Sequence, residues 1–167
     1  MAVNNRNSTV IANAIATPPV KNNSHTAGNV RAVAGYVANA ADDDATSIFR
    51  FARVPSNARV RSVQLTTGDA TTAGAVDIGL YDTAENGGAA VDADLFASAL
   101  ALTGGPFVNS EQIAESGVLT VDERIKPLWE VLGLTADPQT FYDVALTVTT
   151  TFNGAAVGIF VEVEFVI

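Results

Sequence analysis

From residue 29 onward the chain is predominantly period-two: apolar and polar side chains alternate, and Gly, Pro, Asn and Asp interrupt the runs. Residues i and i+2 share a face only on an extended backbone, so this pattern excludes a helical bundle. The segments NVRAVAGYVANA (29–40), TSIFRFARV (46–54), ARVRSVQLTT (58–67) and AVDIGLYD (75–82) read as strands. In TSIFRFARV, Ile48, Arg50 and Ala52 alternate with Phe49, Phe51 and Arg53. ARVRSVQLTT places Val63 and Leu65 on one face and Val60 on the other, and a bulge would bring all three inward. Val76, Ile78 and Leu80 share a face in AVDIGLYD.

At the C-terminus, FYDVALTVTTT (141–151) and AAVGIFVEVEFVI (155–167) flank Phe152-Asn153-Gly154. Asn-Gly accepts the positive φ angles of a type I′ turn, so these segments are expected to form a long β-hairpin. Ile159, Val161, Val163 and Phe165 face the core on the second strand, and Glu162 and Glu164 face away. Two short helices are expected. One runs through DLFASALAL with Asp92 as its N-cap and Gly104-Gly105-Pro106 as its stop; the other is ERIKPLWEVLGL, with Pro127 in its first turn, Trp129 as a core anchor and Gly133 as its C-cap. The fold class that follows is all-β: an antiparallel, jelly-roll-like β-sandwich with one or two short helices. Residues 29–167 form this domain. Residues 1–28, rich in Asn, Ser and Thr and broken by Pro18-Pro19, read as an extended N-terminal arm with Val3, Val10, Ile11 and Ile15 as its apolar anchors.

Composition narrows the chemistry. The 167 residues contain no Cys, which removes disulfides, thiolate nucleophiles and Cys-ligated metal sites. The single histidine, His25, lies in the arm, a poor place for a catalytic base or a metal ligand. Asp42, Asp43 and Asp44 are consecutive, unlike the spaced ligands of a calcium loop. Asp92 with Asp94, and Glu162 with Glu164, have the spacing of paired carboxylates but no aromatic-rich sugar cleft around them. We therefore expect a protein that is not an enzyme and needs no cofactor or metal. The apolar stretch VIANAIA is too short and too polar for an export signal, and nothing approaches the ~20 apolar residues that cross a bilayer. The sequons at Asn7 and Asn22 then carry no meaning.

Charge is unevenly spread. The net −9 divides into +4 over residues 1–61 and −13 over the rest. The bases are dispersed, without the aromatic platform of a nucleic-acid binder, so opposite-signed surfaces point to protein contacts.

The runs IFRFARVPSNARVRSVQL, DIGLYDTAENGGAAVDADLFASALAL and FYDVALTV…VEVEF resemble small virion proteins of tailed bacteriophages, of the head decoration or cement type. The resemblance covers most of residues 46–167 and implies a protein made in the host cytoplasm that binds the capsid's outer surface. Its implied partners are the major capsid protein and further copies of itself, as a dimer or trimer, with no direct nucleic-acid or membrane contact. It carries over no active site. Candidate capsid contacts are Val10, Ile11, Ile15, Arg50, Arg53, Arg59 and Arg61. Two other readings stay open: a carbohydrate- or receptor-binding module of a phage fibre or appendage, and a head–tail joining component. The scarcity of Trp and Tyr disfavours the first.

Overall fold

The structure is a computed structural model that describes residues 9–20, 29–38, 43–68, 73–103, 106–153 and 158–167. Among these, eight strands form: β1 (Val30–Ala38), β2 (Ile48–Pro55), β3 (Arg59–Thr67), β4 (Ala73–Asp82), β5 (Ala90–Ala101), β6 (Ser110–Glu111), β7 (Phe141–Asn153) and β8 (Gly158–Val166). They make two four-stranded sheets, ordered β1-β8-β3-β6 and β2-β7-β4-β5, and every pairing is antiparallel. The pairs β1–β8, β2–β7, β3–β6 and β4–β5 are those of one long hairpin, with its tip at residues 83–89, wound into two layers. That winding is an eight-stranded jelly roll.

The winding also corrects the C-terminal expectation. β7 pairs with β2 and β4, whereas β8 pairs with β1 and β3, so the two strands belong to opposite sheets rather than to a hairpin. Gly154 lies outside the described residues. Local turn chemistry proposed the pairing, and the non-local partners won because each sheet must lay its apolar face on the other.

The core lies between the layers. Val54, Val60, Val63, Leu65, Val76, Ile78, Leu80, Val144, Leu146, Ile159, Val161 and Val163 are all buried there. On β8 the alternation expected for Ile159, Val161, Val163 and Phe165 holds, with Glu162 and Glu164 half-buried on the outer face. The bulge expected in β3 is present between Val60 and Ser62, and it turns Val60, Val63 and Leu65 inward together.

The expected helix after Asp92 is instead β5. Its register against β4 slips three times, Ala99 adopts a φ of 50°, and Leu95, Phe96 and Ala97 are buried in succession. A bulged strand spaces apolar residues much as a helix does, which misleads a periodicity argument. Gly79 makes the bulge possible: a Cβ there would lie 2.1 Å from the Asp92 carbonyl oxygen and 2.4 Å from the Ala93 carbonyl carbon.

The second expected helix shrinks to a 3-10 turn at Glu123–Ile125 and a single turn, α2 (Leu128–Val131); here α1 denotes Thr9–Ile15. Pro127 precedes α2 in an extended conformation rather than entering its first turn. The Leu128 and Trp129 amides donate to the carbonyls of Ala58 and Ser56, and these bonds dock α2 on the β2–β3 turn. Leu128 is the residue that enters the core, whereas Trp129 is half-buried and outside it, which corrects its assignment as an anchor. Residues 9–15, expected to be extended, form α1; the Asn13 carbonyl accepts from the Val20 amide.

Candidate interaction surfaces

Alternation along β2 places Arg50 and Arg53 on opposite faces, but the bulge at Phe51 puts both beside Asp143 on the outer face of their sheet. Arg53 Nε donates to Asp143 Oδ1 at 2.8 Å and Arg50 Nη1 donates to Asp143 Oδ2 at 3.1 Å. Arg50 also donates to the carbonyls of Asp82 and Gly88, each at 2.8 Å, and its guanidinium lies 5.4 Å from the centre of the Tyr81 ring. Gly88 presents its carbonyl from a φ of 66°, a conformation that favours glycine. The Tyr81 and Thr147 hydroxyls pair beside this cluster. Arg53 Nη2 reaches Glu85 Oε2 at 3.2 Å. The hydrogen bonds that Arg53 donates to Asp143 and then to Glu85 raise its pKa, while the backbone amide, Thr83 and Arg53 hold the Glu85 carboxyl below its usual range.

Asp143 has an 8% exposed side chain and so anchors both arginines from within the fold. Arg50 and Arg53 thus brace the hairpin tip against the sheet. A shallow groove of about 370 Å³ runs above them, walled by Val33, Phe51 and Ala52.

Arg59 and Arg61 are placed differently. They flank Val60 at the β3 bulge, with Arg59 half-buried and Arg61 exposed. Arg124, on the 3-10 turn, donates from Nη2 to the Arg61 carbonyl at 2.9 Å. The three arginines, Val60 and Ile125 line a depression of about 240 Å³. No carboxylate pairs with any of the three among the described residues. Burial and then the neighbouring Arg61 lower the Arg59 pKa. Arg124 and Asp143 escape a sequence reading because 63 residues separate Arg124 from Arg61 and 90 separate Asp143 from Arg53.

The remaining expectations divide. Ile11 and Ile15 are exposed on α1, while the side chain of Val10, with Val3 and His25, lies outside the described residues. So does Asp42; Asp44 accepts from the Thr151 hydroxyl at 3.3 Å. Asp92 does meet Asp94, and burial first and Asp94 second push its carboxyl above the usual range, with its backbone running over Gly79. No cluster of three or more His, Asp or Glu residues suited to a metal occurs among the described residues, and no described helix is long and apolar enough to cross a membrane.

Of the four sheet edges, β1 is the regular one. It keeps nine consecutive partners on β8 without a slip, and Arg31 is its only charge. β6 is two residues long, β2 is bulged and doubly charged, and β5 slips repeatedly. A Cβ on Gly35 would lie 2.4 Å from the Phe51 carbonyl oxygen, so β1 and β2 meet backbone to backbone at that side of the sandwich.

No protein-family model and no curated protein sequence matches the chain. Among solved structures, a chain of the cyanophage Pam1 capsid asymmetric unit is similar at a TM-score of 0.52 and 18% identity, covering 84% of this chain and 86% of that one. A chain of the acidic stable capsid of Helicobacter pylori bacteriophage KHP30 matches at a TM-score of 0.44 and 13% identity, covering 84% and 90% respectively. The Pam1 chain shares this jelly-roll fold across most of both lengths.

Proposed function

We propose that this chain is a non-enzymatic structural protein of a bacteriophage virion that binds the outer surface of the capsid and clamps neighbouring major capsid protein subunits. The observation that carries this reading is the extensive fold likeness to a chain of a phage capsid asymmetric unit. The regular β1 edge supports it, because the backbone groups along a long edge strand that carries a single charge bind another chain by strand addition without specialised side chains. The exposed isoleucines of α1 supply apolar contacts in the same scheme.

Purified parent capsids stripped of this protein test the reading. Added protein is expected to saturate them at a fixed copy number, with cryo-EM density on the outer shell. Absence of binding, or density confined to a fibre or to the portal vertex, would overturn it.

A further inference from the structure

We infer that Arg59, Arg61 and Arg124 form a receptor for a carboxylate-bearing, apolar-flanked segment of a partner protein. This rests on the reading of the chain as one that docks on other proteins, and it names a contact within that docking.

Acids outnumber bases 18 to 9 in the chain, yet these three arginines gather without a carboxylate partner among the described residues. The two acids just before Arg124 are engaged elsewhere. Asp122 accepts from the Thr120 hydroxyl at 2.7 Å, and Glu123 accepts from Thr120 and faces Lys126 at 3.9 Å. Holding like charges together, one of them half-buried, has an electrostatic cost that a bound anion relieves. The Arg124 bond to the Arg61 carbonyl fixes part of the cluster before any ligand arrives, which reduces the ordering cost of binding.

The chemistry of the walls selects the ligand. Guanidinium groups present planar forks that match a carboxylate in a bidentate manner. Val60 and Ile125 flank them, and Ile125 is 60% exposed, so an apolar side chain beside the acid gains contact. A nucleic acid would extend beyond this small depression onto a chain whose residues 62–167 carry −13, which repels a phosphate backbone. A short acidic protein segment does not extend so far.

The test follows the arginine Nε–Hε NMR signals of the full chain during titration with the peptide Ac-Leu-Asp-Asp-Leu-NH2. Saturable shifts of Arg59, Arg61 and Arg124, with Arg50 and Arg53 unmoved, are expected. The double variant R59Q/R61Q should bind at least about tenfold more weakly while keeping the wild-type melting temperature. Unmoved signals, equal affinity for the Asn counterpart of the peptide, or tighter binding of inorganic phosphate or of a short single-stranded DNA would each overturn the assignment. Failure of capsid binding would sink the virion reading without touching this titration, so the two are separable.

Discussion

Two arginine clusters, rooted on the consecutive strands β2 and β3 of opposite sheets, show how differently the same side chain serves a fold. Around Asp143, Arg50 and Arg53 are internal ties: a buried carboxylate, two carbonyls and a tyrosine ring hold them, and the backbone of β5 closes over the same sheet at Gly79. At the other site, Arg59, Arg61 and Arg124 meet, among the described residues, one backbone carbonyl and no carboxylate. A guanidinium paired inside the chain is unavailable to a partner unless that partner displaces the pair. An unpaired one retains its binding capacity, and its removal leaves no buried acid behind.

The largest test of this contrast is Asp143→Ala. It leaves the half-buried Arg50 and the exposed Arg53 without their shared buried acceptor and is expected to cost about 3 kcal/mol, at the low end for a broken buried pair because solvent screens both arginines. Urea unfolding measures it, and a loss below about 0.5 kcal/mol would break the claim that this cluster is structural. Gly79→Ala comes next. The new methyl would collide with the backbone of β5, which cannot swing aside as a side chain does, so a loss of about 2–3 kcal/mol is expected. Unchanged stability would mean that β5 does not cross where the structure places it.

The contrast was only half legible in the sequence. Period-two patterning identified six of the strands and the inward faces of β3, β4 and β8, because burial on one side of a sheet imposes alternation directly. Bulges defeat that logic. The one at Phe51 places Arg50 and Arg53 on one face although their spacing says otherwise, and those in β5 made Leu95, Phe96 and Ala97 imitate a helix. The jelly-roll winding was expected in outline, yet the separation of β7 from β8 was not, since Asn153-Gly154 announces a hairpin locally and the sheets are decided by distant partners. Arg59 and Arg61 were visible as charges; that they stand unpaired beside Arg124 depends on three-dimensional placement.

A direct comparison sharpens the point at smaller amplitude. Arg50→Gln removes charge-assisted bonds to Asp143 and to two carbonyls, and a loss of about 1.5–3 kcal/mol is expected for interactions of that kind. Arg59→Gln removes no such partner and relieves repulsion from Arg61, so its stability should stay within about 0.5 kcal/mol of the wild type or rise. Equal losses in thermal melts of the two variants would erase the distinction between a tie and a receptor.

The smallest expected effect concerns Asp92, a half-buried acid of β5 whose carbonyl lies against Gly79. Burial, and then Asp94, raise its folded-state pKa above the unfolded value. The folded protein therefore binds a proton more readily than the unfolded chain, and Asp92 weakens the fold as pH rises through that window. Below the unfolded pKa both states carry the neutral acid, and the penalty vanishes. Asp92→Asn should accordingly raise the urea midpoint modestly at about pH 7 and by less at about pH 3, where the wild-type acid is already protonated. Partial exposure keeps the effect small through solvent screening. A gain that is equal at both pH values would assign it to altered packing around β5, whereas a loss at about pH 7 would show that the charged form takes part in holding the bulge over Gly79.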